Sequence, residues 1–368
     1  MAGQEQGRPR RPSRAIPDGP PRMPAEWEPH RATWIAWPHR ADDWPGKLEA
    51  VRWCYAELIR LLSEVEPVAL VVPDARTERV ALGRLARVGA RSDRITCHRI
   101  PTDRGWLRDT GGTFVEVRAG RDSTVQLVDW RFTAWARYPD WRRDDRLARR
   151  IAAARGLRRI AGLRPDTGRP MVLEGGAIDV NGRGVALVTE ECLLDPTTQT
   201  RNPGLDRAGT ETALARYLGV REIVWLGRGI AGDDTHGHVD DAARFVAADT
   251  VVAAEEPDAS DVNHAPLTDN LHRLRAARVG GRPLTVVTLP MPRPLRFGGQ
   301  RLPASYLNFY IANDLVLVPT FNDPADRVAL ARLAELFPQR EVRGVHSVDL
   351  VLGLGGIHCT TLHEPRPR

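Results

Sequence analysis

Five polar residues of catalytic type recur along this chain, each beside a short apolar run: Asp109, Glu174, His238, Asn308 and Cys359. Cys359 lies in Gly355-Gly356-Ile357-His358-Cys359-Thr360-Thr361, after the apolar run from Val348 to Leu354. Glycines let a backbone approach a ligand closely, and a thiol placed there can act as a nucleophile if its proton can be removed. Taken alone, such a cysteine reads as a small buried hydrophobe, and Asp109, Glu174 and Asn308 read as turn or strand residues. The joint pattern points to chemistry. The thiolate attacks an electrophilic carbon, and His238 moves protons to the leaving group and from water.

The carboxylates narrow the substrate. Acyl transfer needs hydrogen-bond donors for an oxyanion. Here the groups that accompany the nucleophile are acceptors: Asp109, Glu174 and Asp240. Paired acceptors match a planar cation with a fork of N–H groups, which is a guanidinium. Asp240, two residues after His238, is expected on the same face of an extended segment, there to orient the imidazole or to hold substrate. His236-Gly237-His238 with Asp240 has the look of part of a metal site, but lacks the further Cys or His that structural zinc takes at short spacing; no metal is expected. There is no glycine-rich phosphate loop.

These residues must be carried by something that repeats. They follow one another at intervals of roughly 50 to 70 residues, the length of a supersecondary unit. Radial repetition would bring equivalent positions to one axis. The apolar patterning alternates helix and strand and predicts an α/β protein. Strands are expected at 33–37, 68–72, 95–100, 113–117, 125–130, 185–188, 222–226, 243–246, 251–254, 284–289 and 315–318. Further strands should carry Glu174 (172–178) and Cys359, and the Asn308 segment spans 305–310. Helices are expected over 47–65, 78–88, 212–218, 268–278 and 324–336, together with an arginine-rich helix within 141–160.

Composition sets the outer limits. The chain has 368 residues, 42% of them hydrophobic, a net charge of +6 and a pI near 9.6. About half of that charge comes from residues 1–22, with Arg8, Arg10, Arg11, Arg14 and Arg22 against Glu5 and Asp18. Lys47 is the sole lysine. The run containing Arg142, Arg143, Arg146, Arg149, Arg150, Arg155, Arg158 and Arg159 also holds Asp144 and Asp145 and reads as a solvated helix face rather than a nucleic-acid surface. Residues 1–22 are expected to be a disordered basic extension, leaving 23–368 as one catalytic domain. Four widely spaced cysteines argue against a disulfide framework. No run reaches membrane-spanning length and no secretory signal is present, so a cytoplasmic location is the expectation.

The ordered motifs resemble those of agmatine deiminases and the related bacterial peptidylarginine-deiminase-type proteins of the guanidine-modifying pentein superfamily. The resemblance runs through Met23-Pro24-Ala25-Glu26-Trp27-Glu28-Pro29-His30, Trp106-Leu107-Arg108-Asp109-Thr110-Gly111, Leu173-Glu174-Gly175-Gly176, Arg201-Asn202-Pro203, Gly237-His238-Val239-Asp240, Ala304-Ser305-Tyr306-Leu307-Asn308 and Ile357-His358-Cys359. It implies a fivefold pseudosymmetric α/β propeller and hydrolysis of a guanidinium to a ureido group with release of ammonia. It implies Cys359 as nucleophile, His238 as acid and base, Asp109 and Asp240 on the guanidinium nitrogens, Glu174 on His238 or substrate, and Trp106 as a wall of the pocket. Asp234 and Asn308 complete the substrate-binding set. No cofactor is implied, the partner is a small guanidinium, and homo-oligomers occur in the family. Agmatine would give N-carbamoylputrescine, a step towards putrescine.

The chain departs from the family's usual Gly-Asp-Glu-Thr-Asp-Gly-His at Asp234 and His236, and from Gly-Asn-Ile-His-Cys at Gly356. Agmatine therefore competes with free arginine, peptidyl arginine or another guanidine as substrate, and hydrolysis competes with amidino transfer to an amine. A nucleic-acid-binding protein using residues 1–22 and the arginine-rich stretch is the contrasting class, recognised by salt-dependent binding.

Overall fold

A computed structural model describes residues 16–119 and 122–368. Among these, five sheets of three or four strands share one pattern, an antiparallel pair of strands followed by a parallel strand. Thr113–Ala119 pairs with Asp122–Asp129, which pairs in parallel with Arg158–Ala161. Asp179–Val180, Val185–Thr189 and Glu222–Leu226 repeat the pattern. So do Ala243–Ala247, Thr250–Glu255 and Thr285–Pro290, and Tyr310–Ile311, Leu315–Thr320 and Glu341–His346. In the last sheet Thr361–Pro365, near the C-terminus, pairs antiparallel with His30–Ala36, which is followed in parallel by Val68–Val72 and Ile95–Arg99. The two ends of the chain thus complete one sheet.

The middle strands are buried on both faces, and so read as continuous apolar runs: Val68–Val72 and Val185–Thr189 are buried at every position. Parallel neighbours need a crossover, supplied by the helices Leu48–Val65, Leu147–Arg155, Arg207–Leu218, His264–Ala276 and Pro324–Leu336. Two of these helices have chemically marked starts. Asp206 accepts a hydrogen bond from Gly209 N at 2.8 Å. Asp323 and Asp326 form a reciprocal capping box before Pro324.

Several sequence expectations need correction. The arginine-rich helix stops at Arg155, because Gly156 takes the left-handed φ of +64° that closes a helix; Arg158 and Arg159 belong to a strand. Many of those arginines are paired: Arg143 with Asp103, Arg155 with Glu364, Arg158 with Asp18 and Arg159 with Asp129. Cys359 lies on a helical turn, Ile357–Thr360, and the preceding apolar run bends through a 3-10 turn at Val351–Gly353 rather than forming a strand. The strand after the last long helix is Glu341–His346, which the sequence reading missed; much of it is exposed. Residues 1–15 of the expected extension lie outside the described residues. At its end, Pro21–Arg22 form a strand against Val117 and Glu116, and Arg22 is held there by Glu28 and Glu116. No helix among the described residues is long and apolar enough to cross a membrane.

Candidate active site

Each of the five residues lies where the chain turns into the first strand of one sheet. Asp109 is on the turn Leu107–Thr110 before Thr113, and Glu174 precedes the turn Gly175–Ala177. His238 caps the turn Val239–Asp241, Asn308 precedes Tyr310–Ile311, and Cys359 is on Ile357–Thr360. Short loops from different sheets therefore converge. Glycine permits the approach at two points. A Cβ at Gly176 would lie 2.5 Å from His238 Nδ1 and 3.1 Å from both Asp109 Oδ1 and Asp240 Oδ2. A Cβ at Gly356 would lie 2.4 Å from Asn308 Oδ1, so the glycine at this departure from the family pattern gives Asn308 room beside the nucleophile.

Cys359 is gripped by Asn308, whose Nδ2 lies 3.1 Å from Cys359 Sγ while its Oδ1 accepts the Cys359 amide at 3.2 Å. The same Nδ2 donates to Asp241 at 2.9 Å. Asp240 Oδ2 is 3.7 Å from Sγ and lies 2.7 Å from His358 Nδ1. His358 Nε2 reaches Glu26 Oε2 at 2.9 Å. Glu26 also accepts from Arg108 at 2.7 Å and from Arg244 and the Ile311 amide at 2.9 Å. Asp240 sits in a 3-10 turn, not on an extended segment, so it does not share a strand face with His238. Its partner is His358, and its Oδ1 has no hydrogen bond.

Asp109 accepts from the Gly176 amide and from Trp135 Nε1, both at 2.9 Å, one on each oxygen. His238 Nδ1 is 3.8 Å from Asp109, and Nε2 is 3.9 Å from Glu174 Oε2. Neither ring nitrogen is hydrogen-bonded. Arg201 Nε donates to Glu174 Oε1 at 3.1 Å, which leaves Oε2 open.

A cavity of about 560 Å³ opens onto Cys359 and Asp109. Trp106 walls it, packed so closely that a Cβ at Gly355 would lie 2.6 Å from the indole. Asp234 lines the same cavity and accepts from Tyr138 Oη at 2.6 Å. His236 instead pairs with Asp195 at 2.9 Å. Arg40 and Arg104, which also line the cavity, are both paired with Asp43 and Asp140.

The electrostatics follow from burying several acids together. Burial, then Asp240, Asp241 and Asp109, push the Cys359 thiol well above its usual range. Burial disfavours the His238 cation, but Asp109, Cys192 and Asp240 outweigh it and raise its pKa. Burial would raise Asp240; the hydrogen bond and charge of His358, with His238 and Arg244, hold it below the ordinary value. Asp109 is raised by burial and by the repulsion of Asp240 and Glu174. Burial lifts Asp234 to about 6 against its Tyr138 hydrogen bond. The site thus gathers several buried carboxylates around a thiol whose ionisation they oppose.

Sequence reasoning missed Glu26, Trp135, Tyr138 and Arg201 as contributors, and left His358 without a role. Glu26 was visible only as part of the opening motif; its partners are remote in sequence. All four cysteines are free.

Known proteins resemble this chain over nearly its whole length. Residues 22–365 match the family model of Porphyromonas-type peptidyl-arginine deiminase. An agmatine deiminase from Pseudomonas aeruginosa (strain LESB58) is 37% identical, over 94% of this chain and 96% of the relative. The solved agmatine deiminase of Enterococcus faecalis is 31% identical, with a TM-score of 0.86 over 96% of this chain and 100% of that one. An agmatine deiminase of C. jejuni solved with substrate bound is 25% identical, with a TM-score of 0.81, covering 94% of this chain and 96% of that chain.

Proposed function

The chain belongs to the Porphyromonas-type peptidyl-arginine deiminase family, and we propose that it hydrolyses agmatine to N-carbamoylputrescine and ammonia through a covalent intermediate on Cys359. Its relatives make it a hydrolase of C–N bonds. The observation that carries the reading is the pairing of a buried thiol with acceptors. Asp109 and Asp240 flank His238 and Cys359, and Asp240 Oδ1 is left without a hydrogen bond.

Asp109 and Asp240 accept the N–H groups of the guanidinium. Its positive charge offsets the acids that hold the thiol protonated, so binding favours the thiolate, whose proton leaves to solvent. Sγ attacks the guanidinium carbon to give a tetrahedral adduct. Imidazolium His238 donates its proton to one amino nitrogen, the C–N bond breaks, and ammonia departs, leaving a thiouronium on Cys359. Neutral His238 then takes a proton from water as the oxygen attacks. Collapse breaks the C–S bond and returns the thiolate, and the hydroxyl proton passes to solvent to give the neutral ureido group of the product. Glu174, open at Oε2, balances the imidazolium.

The far end of the substrate favours an amine. An α-carboxylate would need a free cation, but Arg40 and Arg104 are already paired. Asp234 offers an acceptor instead.

We read residues 23–368 as one catalytic unit, with the five sheets as the blades of a closed fivefold propeller. Support comes from the shared strand pattern and from the convergence on one site of turns leading into all five sheets.

Ammonia and ureido assays with agmatine, arginine and a blocked peptidyl arginine test the substrate. Agmatine should dominate kcat/KM; preference for either other guanidine would overturn the amine assignment at Asp234 while leaving the chemistry in place.

A further inference from the structure

The reaction uses one thiol, yet a second one, Cys192, is buried at the back of the site. A carboxylate oxygen of Glu174, the sulfur of Cys192 and a ring nitrogen of His238 all lie within 4.8 Å of one another. All three residues are buried. The two nitrogens of His238 face different ways. Nδ1 looks towards Asp109 and the position a Cβ at Gly176 would fill; Nε2 looks towards Glu174 Oε2. Neither Nε2 nor Oε2 meets ordinary hydrogen-bond geometry with a neighbour, and the group that bears most directly on His238 here is the Cys192 side chain itself.

The surroundings hold these atoms in place. Arg201 takes the other oxygen of Glu174. Thr189 Oγ1 accepts the Cys192 amide at 3.2 Å and so fixes the turn that carries the sulfur. Supporting contacts of this kind orient metal ligands. Zinc bonds of about 2.0–2.1 Å in a tetrahedron place a nitrogen and an oxygen ligand roughly 3.3–3.4 Å apart; the His238–Glu174 spacing is 3.9 Å, so a bound ion must draw the two side chains together by about half an ångström. Mixed sulfur, nitrogen and oxygen donors suit a borderline-soft divalent ion rather than magnesium or calcium.

We propose that Glu174 Oε2, Cys192 Sγ and His238 Nε2 form an inhibitory site for a thiophilic divalent cation of the zinc class. Binding expels the Cys192 thiol proton and leaves His238 neutral, with its remaining proton on Nδ1. The imidazole then has no free lone pair with which to take a proton from water. The occupied enzyme is off, and removal of the ion restores it. Because protons compete with the metal, inhibition weakens as pH falls.

Zinc binding is measured directly by equilibrium dialysis of the full chain, and inhibition by agmatine turnover with and without a chelator. Wild type and Cys359→Ser should bind one zinc with similar affinity. Cys192→Ala should weaken binding by about tenfold or more and lose zinc inhibition by the same factor. Should Cys192→Ala fail to fold, cobalt binding to Cys359→Ser still decides: it must give a thiolate-to-cobalt absorption band. Zinc binding lost in Cys359→Ser but kept in Cys192→Ala would place the ion on the nucleophile and overturn the proposal. So would equal, weak binding by all variants, or a cobalt complex of Cys359→Ser without the thiolate band. The dialysis does not depend on which guanidine the enzyme uses.

Discussion

Asn308 holds Cys359 from both ends: its amide nitrogen lies 3.1 Å from the sulfur and its amide oxygen accepts the Cys359 backbone N–H at 3.2 Å. One side chain thus fixes the direction of attack and supplies the sulfur with a donor among acids. Hydrogen bonds to charged groups are worth roughly 1.5–3 kcal/mol, and about 1.4 kcal/mol is tenfold in rate. Asn308→Ala should therefore lower kcat by about 10- to 100-fold with a smaller change in KM, measured by steady-state agmatine turnover. Asn308→Asp adds a carboxylate beside Asp240 and Asp241 and should cost more.

On the proposed mechanism, His358 acts on the substrate through Asp240. It bonds Asp240 at 2.7 Å and helps hold that carboxyl below its ordinary range. Asp240 is useful when ionised, and a depressed folded pKa keeps it ionised to lower pH. His358→Gln removes the imidazole that helps hold Asp240 down, and so raises the Asp240 pKa. The acid limb of the kcat/KM profile should move to higher pH, with KM for agmatine rising at the acid end.

Asp234 titrates at about 6. On the proposed reading it attracts the agmatine amine when ionised above that pH, and the attraction is lost below it. KM for agmatine should rise as pH falls through 6, and Asp234→Asn should raise KM at pH 8 and flatten the dependence. Tyr138→Phe removes a hydrogen bond that lowers this pKa, so the rise in KM should begin at higher pH.

Arg201 and Glu174 form an ion pair whose side chains are both 0% exposed. Breaking such a pair by removing one partner costs about 3–5 kcal/mol, because the other charge stays buried. Arg201→Met should destabilise the fold by that amount in urea unfolding. Replacing Glu174 as well, in Arg201→Met/Glu174→Gln, should recover part of the loss.

The features legible in the sequence are those that each segment carries by itself. Buried central strands such as Val68–Val72 are continuous apolar runs, and long helices show their period and caps. The five polar residues stood out because each turn precedes a strand in the same way. Strands of two residues, Asp179–Val180 and Tyr310–Ile311, are too short to show any alternation. Cys359 was misplaced onto a strand because its glycine-rich approach follows an apolar run that bends instead of extending. The hub at Glu26 joins His358, 332 residues away, and no local pattern reports such a pairing. Cys192 had no motif to mark it, and only folding brings it to His238.

The central claim is that Cys359 carries the substrate's amidino carbon. Mass spectrometry of enzyme quenched during agmatine turnover tests it directly, with ureido product measured in parallel for wild type and Cys359→Ala. The thiouronium adduct should map to the Cys359 peptide, and Cys359→Ala should form neither adduct nor product. Product formation by Cys359→Ala, or an adduct on another residue, would contradict the account.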